Sequence, residues 1–294
     1  LLSKFRNDCI YSFFYAPIEV EAWGAEVIYT DDGPPNSSEP FIKDINNIMT
    51  LEIPKIDEKK CLIKQLDAIS ALKGKVKDKV PIIGVVMSPF SLPVMQLGFD
   101  RYLDLLYTYP DLFERLIEIN KTFSIEWANS QIRAGATAIV YFDPLSSTTV
   151  SDRKTILEKG FVIAKETISK INGPCAIHFA SGRCSKIADE IIPLGFAGVG
   201  VSALDDLSYL KERLYKKITL IGNLNGIEMR RWTKEEVQEN VKKTILSAAK
   251  GGGLIISDNH GEIPFFVSDE TIYNIREAVD KWGRYPLEWV NENA

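Results

Sequence analysis

Histidine is nearly absent from this 294-residue sequence, which contains only His178 and His260. Cysteine is also rare, and none of the cysteines has CxxC spacing, so we expect reduced thiols in a cytoplasmic protein. The cysteines are Cys9, Cys61, Cys175 and Cys184. No apolar run approaches the roughly 18–20 residues that span a bilayer, which argues against a membrane protein.

No block of lysine or arginine is present among the 35 basic and 40 acidic residues, and the formal net charge is −5. This balance argues against nucleic acid or an anionic membrane as the main partner. No GxGxxG follows an apolar run, and "GKVKDK" (74–79) is not a phosphate loop, so nucleotide binding is not favoured. The chain opens "LLSKFRND" without Met, so we expect a fragment or a trimmed chain.

Seven short apolar runs are present, each followed by a longer stretch with helical periodicity. Because the runs are rich in Ile and Val and do not alternate with polar residues, they predict parallel strands covered on both faces. The runs are 9–14, 81–87, 137–143, 174–179, 196–202, 218–222 and 253–257. The segment 30–40, rich in turn formers, is expected to be a surface loop.

Helix boundaries are marked by capping signals. Pro110 is expected to open one helix that ends near 134–136, Thr233 to cap a second with a capping box, and Ser268 to cap a third that ends at Gly283. The alternation of strands and helices predicts a single α/β domain over residues 1–294. An eighth strand upstream of Leu1 would close a (β/α)8 TIM barrel, and an open doubly wound sheet is the alternative.

Both histidines follow predicted strands. His178 lies near the end of the run 174–179 and His260 three residues beyond the run 253–257, while Asp143 and Asn223 follow two other runs. In a barrel the carboxyl ends of the strands form one rim, so we expect one pocket that contains both histidines. Imidazole titrates near neutral pH and is the commonest metal ligand, so a metal site and an acid–base pair both remain open. Two ordinary, hydrogen-bonded histidines are the structural alternative.

The sequence resembles the uroporphyrinogen decarboxylase superfamily over nearly its whole length. The segments that carry the resemblance are "EAWGAEVIYTDDGPPNSSEPFIKDINNIMTLEIP", "MSPFSLPVMQLG", "AGATAIVYFDPLSSTTVS", "HFASG", "LIGNLNG" and "LIISDNHGEIP". The family fold is a (β/α)8 barrel, which would place the missing first strand upstream of Leu1. The resemblance implies a catalytic set of Asp143, His178 and His260. It implies a substrate-binding set of Tyr15, Ser88, Phe90, Asn223 and Glu262.

The superfamily has two functional branches. One decarboxylates the acetate arms of uroporphyrinogen without a cofactor, and it has an aspartate nine residues before the glycine that corresponds to Gly24. Tyr15 occupies that position here and cannot supply an anionic acceptor for pyrrole N–H groups. The other branch comprises zinc-dependent methyltransferases that move a methyl group from a corrinoid protein to a thiol such as coenzyme M. The segment "YFDPLSS" (141–147) also favours this second branch.

The zinc ligands of that branch are an H-x-C motif and a later cysteine. Here the motif is His178-Phe179-Ala180 and the later position is His260, so one cysteine is lost and one replaced. Cys184 is a candidate third ligand, since catalytic zinc needs three protein ligands. Without zinc, the histidines could still orient or deprotonate an acceptor. We expect a methyltransferase-like enzyme with a corrinoid protein partner and a small methyl acceptor. The alternatives are a decarboxylase acting on a tetrapyrrole and a catalytically silent, corrinoid- or partner-binding barrel.

Overall fold

The structure is a computed structural model that describes residues 2–12, 15–31, 33–261 and 263–291. The chain divides into two compact units. The N-terminal unit consists of Cys9–Ser146 and Lys154–Cys175, and the C-terminal unit of Leu1–Asp8, Ser147–Arg153 and Ala176–Ala294. The single domain that the sequence predicts over residues 1–294 stays a prediction.

Thirteen α-helices lie in the described residues. In chain order they are α1 (Leu2–Phe5), α2 (Ile18–Ala22), α3 (Lys60–Val76), α4 (Leu92–Leu97), α5 (Phe99–Thr108), α6 (Pro110–Ala134), α7 (Arg153–Thr155), α8 (Phe161–Ile168), α9 (Ala188–Ile191), α10 (Leu207–Leu214), α11 (Lys234–Ala248), α12 (Asp269–Trp282) and α13 (Glu288–Asn291). The predicted capping box of Thr233 is present at α11, and the Ser268 side chain caps α12. Helix α6 begins at Pro110, as predicted.

Parallel strands form the centre of the N-terminal unit. They are β1 (Ile10–Tyr11), β4 (Ile82–Met87) and β5 (Ala138–Phe142), with β4 paired to both others. An antiparallel pair, β2 (Val27–Ile28) and β3 (Asn36–Ser37), lies outside that sheet. Part of the segment 30–40, predicted as a loop, is therefore a strand. Two-residue strands are too short to produce an alternating pattern in the sequence.

The C-terminal unit contains four parallel strands in sequence order: β6 (Cys175–His178), β7 (Gly198–Gly200), β8 (Thr219–Ile221) and β9 (Leu254–Ile255). All seven predicted runs thus contain a parallel strand. The parallel α/β prediction is confirmed. Because the neighbours run parallel, the carboxyl ends of β6 to β9 meet at one edge of the sheet.

Each unit has its own apolar core. In the N-terminal unit, α5 and α6 pack around Phe90, Tyr102 and Phe113. In the C-terminal unit, α11 and α12 pack through Val241, Ile245 and their neighbours. No helix in the described part of the chain is long and apolar enough to cross a membrane.

Candidate active site

The His178 side chain is held at the carboxyl end of β6. His178 is paired in register with Gly200 of β7, and a Cβ on Gly200 would lie 2.3 Å from Cδ2 of the imidazole. The ring therefore packs directly on the glycine backbone. Its Nδ1 accepts a hydrogen bond from the backbone N–H of Ala180 at 3.0 Å. In the neutral ring this bond assigns the proton to Nε2.

His260 is positioned by a turn just beyond β9. One carboxylate oxygen of Asp258, Oδ2, accepts the backbone N–H groups of His260 and Gly261, each at 2.8 Å. Asp258 forms a parallel bridge with Leu224, which follows β8. Nδ1 of His260 is buried without a hydrogen-bond partner in the described residues. It lies beside Gly226, whose missing side chain leaves the ring its space.

His178, Asp258 and His260 interact electrostatically. Burial is the main cause that lowers the pKa of His178 to about 4; His260 lowers it further and Asp258 raises it. His178 is therefore neutral at pH 7. The two histidines that the sequence analysis selected therefore lie within electrostatic range of each other and of Asp258, which the sequence analysis did not select. Their shared catalytic role stays a prediction.

Asn223 lies at the same edge, directly after β8. Its Nδ2 donates to the carbonyl of Ser202, which follows β7, at 3.1 Å. The Ser202 hydroxyl in turn donates to the carbonyl of Ser181 at 2.8 Å. These bonds join the loops that follow β6, β7 and β8. Asn223 therefore helps to fix the mouth of the site, while Glu262 lies outside the described residues.

Cys184 is not placed as a zinc ligand. It is fully buried, and its backbone N–H donates to Oδ2 of Asp205 at 2.9 Å. Burial and the nearby Asp205 raise the pKa of the Cys184 thiol well above its usual value, which opposes the thiolate that zinc binds. No group of three His, Cys, Asp or Glu side chains in the described residues could hold a metal ion. The donor set His178, His260 and Cys184 therefore does not fit a three-ligand catalytic zinc site.

Asp143 forms a polar cluster in the N-terminal unit. Its Oδ1 accepts hydrogen bonds from the hydroxyls of Ser88 and Ser91, both at 2.6 Å. Burial raises the pKa of Asp143, and the hydroxyls of Ser146, Ser88 and Ser91 oppose that rise. Asp143 and Ser88 are both fully buried, so they tie the ends of β4 and β5 together. Their catalytic and substrate-binding roles stay predictions.

Phe90 and Tyr15 are also buried in the N-terminal unit. Phe90 packs edge-on against Tyr102, and the Tyr102 hydroxyl donates to the Phe90 carbonyl at 2.7 Å. Tyr15 donates its hydroxyl to Oε2 of Glu21, which also accepts from Tyr29 at 3.3 Å. Burial, and then Glu21, raise the pKa of Tyr15. The Tyr15 hydroxyl therefore keeps its proton and donates it in a hydrogen bond to the Glu21 side chain.

Glu19 is a buried carboxyl group that the sequence analysis missed. Its Oε1 accepts the backbone N–H of Met87 at 2.9 Å, and its Oε2 is buried without a hydrogen-bond partner in the described residues. Burial raises the pKa of Glu19 to about 8, although the Met87 N–H lowers it. A protonated Glu19 at the end of β4 is thus the main form at pH 7.

The family follows from comparison with known proteins. The sequence profile described as "Uroporphyrinogen decarboxylase (URO-D)" matches residues 1–282, so the chain belongs to that family. The uroporphyrinogen decarboxylase of Herminiimonas arsenicoxydans is 24% identical over 278 residues, which cover 90% of this chain and 75% of that protein. The methylcobamide:CoM methyltransferase MtaA of Methanosarcina barkeri is 26% identical over 162 residues, which cover 55% of this chain and 48% of MtaA.

The fold is also shared with a solved structure, a methyltransferase from Methanosarcina mazei. The TM-score is 0.81 at 20% sequence identity, and the match covers 96% of this chain and 83% of that one. The predicted family is confirmed. The similar proteins include a decarboxylase and a methyltransferase, so the chain has the fold of a family that contains both kinds of enzyme.

Proposed function

We propose that the protein is a methyltransferase that moves a methyl group from a corrinoid protein to a thiol or a similar small acceptor. The observation that carries this proposal is the group formed by His178, Asp258 and His260 at the carboxyl ends of β6 and β9. The likeness to MtaA and to the Methanosarcina mazei fold supports the branch. The seven parallel strands are proposed to belong to a (β/α)8 barrel, whose strand ends carry the chemistry.

The two histidines have different roles in this proposal. His178 is neutral at pH 7, and in this proposal its imidazole orients the acceptor at the end of β6. His260, which the Asp258 turn holds at the carboxyl end of β9, takes the proton of the acceptor thiol on a ring nitrogen. The thiolate attacks the methyl carbon. The C–S bond forms as the Co–C bond breaks, the electron pair of that bond stays on cobalt as Co(I), and the proton passes to solvent.

Zinc has no part in these steps, because the described donor set does not fit it. A zinc-bound thiolate is replaced by a thiol that loses its proton to imidazole. Imidazole is a weaker means of activation, because a coordinating metal deprotonates a thiol outright. We therefore expect slower turnover than in three-ligand relatives and a preference for acceptors of low pKa.

Exposed apolar side chains lie at the edge of the C-terminal unit where the carboxyl ends of its strands meet. They lie on the loops that follow β7, β8 and β9, and they are Leu204, Ile227, Phe265 and Phe266. Phe265 and Phe266 are 66% and 73% exposed and contact each other edge-on. Large exposed apolar groups mark interaction sites, so these loops are proposed to receive the corrinoid protein. We place the reaction in the cytoplasm, whose reducing conditions suit the free thiols.

The second candidate is decarboxylation of a tetrapyrrole. Tyr15 stands where the decarboxylases have aspartate, but its hydroxyl lies on the carboxylate of Glu21, which supplies a negative charge beside that position. The relative from Herminiimonas arsenicoxydans is named a uroporphyrinogen decarboxylase. An anaerobic assay with uroporphyrinogen separates the two candidates, because only the decarboxylase forms coproporphyrinogen.

The experiment that tests the proposal follows cleavage of the Co–C bond of methylcobamide by absorbance, with a series of thiols as acceptors. His178→Asn and His260→Gln should each reduce acceptor-dependent cleavage by about 100-fold or more, in the range of general acid–base catalysis. Glu239→Gln, an exposed change on α11, is the matched control and should react like the wild type. A protein that cleaves neither substrate under any condition would instead be the catalytically silent binding barrel.

A further inference from the structure

A cavity lies at the amino ends of the C-terminal strands, opposite the edge that carries the candidate active site. It is lined by residues at or just before the start of β7, β8 and β9, among them Ala197, Thr219 and Gly253. His178 and Asp258 lie at or beyond the carboxyl ends of these strands, so the cavity is separate from the candidate active site. Its volume is about 180 Å³. That is below the roughly 300 Å³ of pockets for drug-sized ligands, but several times the ~30 Å³ of a water molecule.

Three lysines line this cavity, and no acidic residue does. They are Lys211, Lys216 and Lys217, and we call the cavity the lysine pocket. In the described part of the chain, none of the three forms an ion pair with a carboxylate. Asp189 interacts electrostatically with Lys217, but its carboxylate is bound by Arg213. Lys211 and Lys216 therefore have no carboxylate partner of their own among the described residues.

Two of the lysines share one aromatic ring. The Nζ atoms of Lys211 and Lys216 lie 5.0 and 5.3 Å from the ring centroid of Tyr215. The Lys211 ammonium also donates to the carbonyl of Gly252, and burial lowers its pKa. Lys216 and Tyr215 are exposed and Lys211 is half-buried, so both ammonium groups lie at the solvent side of the cavity. An anion bound beside them would be attracted by both.

The backbone of the lysine pocket is kept open in an unusual conformation. Gly251, Gly252 and Gly253 all have positive φ, and a Cβ on Gly251 would lie 2.3 Å from the Tyr215 hydroxyl. Lys216 also has a positive φ, 58°, which is strained for a residue other than glycine. Strain of this kind persists where the surrounding structure maintains it, and it clusters at ligand sites.

We propose that the lysine pocket binds a small phosphate-type oxyanion, either inorganic phosphate or a short phosphate monoester. The ammonium groups of Lys211 and Lys216 neutralise it, and the Tyr215 hydroxyl donates a further hydrogen bond. Lysine is a point charge that suits phosphate without requiring a planar fork. The cavity volume of about 180 Å³ is sufficient for a phosphate group. Nothing in this inference depends on the methyl-transfer proposal, since the pocket lies at the amino ends of the strands.

The test is calorimetric titration of the purified protein with inorganic phosphate and, separately, with glycerol phosphate, at constant ionic strength set by chloride. We expect saturable binding with a Kd of about 1 mM or lower, and a Tm that rises with phosphate more than with chloride. Tighter binding of glycerol phosphate would assign the pocket to monoesters, and tighter binding of inorganic phosphate to the free ion.

Variants locate the binding. Lys216→Gly removes a charge and relieves the left-handed strain, so the protein should fold at least as stably as the wild type while phosphate affinity falls about tenfold or more. Lys211→Gln should weaken binding similarly. Lys242→Gln is the matched control, because Lys242 in the same unit also lies over an aromatic ring, that of Trp282, but outside the pocket. The proposal is overturned if phosphate gives no more binding heat and no larger rise in Tm than chloride does. It is also overturned if Lys242→Gln weakens phosphate binding as much as Lys216→Gly.

Discussion

Replacement of Glu19 by glutamine is expected to stabilise the protein at neutral and alkaline pH. Glu19 is fully enclosed, and only its Oε1 has a hydrogen-bond donor, the Met87 N–H. Burial raises the pKa of this carboxyl group to about 8 in the folded protein, against about 4.5 in its absence. Glutamine keeps the acceptor for Met87 and has nothing to ionise.

The sign and size follow from linkage. A group whose pKa is raised on folding contributes its full stability below the unfolded pKa, and it loses that contribution as the pH rises through the folded pKa. For Glu19 the loss begins near pH 4.5 and is complete above pH 8. One pKa unit corresponds to ~1.4 kcal/mol, so the full loss is about 5 kcal/mol. Between pH 5 and pH 9 the free energy of unfolding of the wild type should fall by about 4 kcal/mol relative to Glu19→Gln.

Urea unfolding of the two proteins at pH 5, 7 and 9 measures this difference. Trp23 and Trp127 belong to the same unit as Glu19, and their fluorescence reports its unfolding. The new amide hydrogens lack partners, which costs about 1–3 kcal/mol at every pH, so the pH dependence and not the absolute value is decisive. Glu239→Gln, an exposed change, should follow the wild type. A constant difference between Glu19→Gln and the wild type from pH 5 to pH 9 would refute the reasoning.

Three further predictions concern the candidate active site. The pKa of His178 is lowered to about 4 in the folded protein, so the free energy of unfolding of the wild type should fall by ~2–3 kcal/mol between pH 6.5 and 4.5. His178→Asn should not show this fall. If urea unfolding gave the same pH dependence for both proteins, the prediction would be wrong. Asp258→Ala leaves two backbone N–H groups unpaired and should cost about 2–4 kcal/mol, against less than ~1 for Asp258→Asn, as measured by thermal unfolding; equal losses would be inconsistent with the turn geometry. Gly200→Ala should displace the His178 ring, costing about 1–3 kcal/mol and reducing methyl transfer, so an active and equally stable variant would show that the ring is not held there.

Most of the fold could be predicted because buried parallel strands have a strong sequence signal. Each of the seven apolar runs is five to seven residues long, which is too short for a typical helix and typical of a buried strand. The capping residues Thr233 and Ser268 were equally clear, since their hydrogen bonds are local. The β2–β3 pair was missed because two residues per strand carry no periodicity, and its pairing depends on tertiary contacts.

The site was only partly predictable. His178 and His260 could be selected as candidates because they follow predicted strands, which is a property of the sequence. Asp258 could have been found, since an aspartate two residues before His260 can accept the following N–H groups in an Asx turn. Glu19 could not, because its burial depends on packing against β4 and no local pattern distinguishes it from exposed Glu26. The burial of Cys184 beside Asp205, which does not suit a zinc ligand, is likewise a tertiary feature that the sequence does not show.

The most direct test of the account is the rate of methyl transfer from methylcobamide to a thiol, measured as a function of pH for the wild type, His178→Asn and His260→Gln after removal of metal with a chelator. We expect acceptor-dependent formation of the methyl thioether by the metal-free wild type. Both histidine variants should lose about 100-fold or more of that rate while remaining folded. A wild-type rate that disappears with the metal, or histidine variants as active as the wild type, would contradict the central claim.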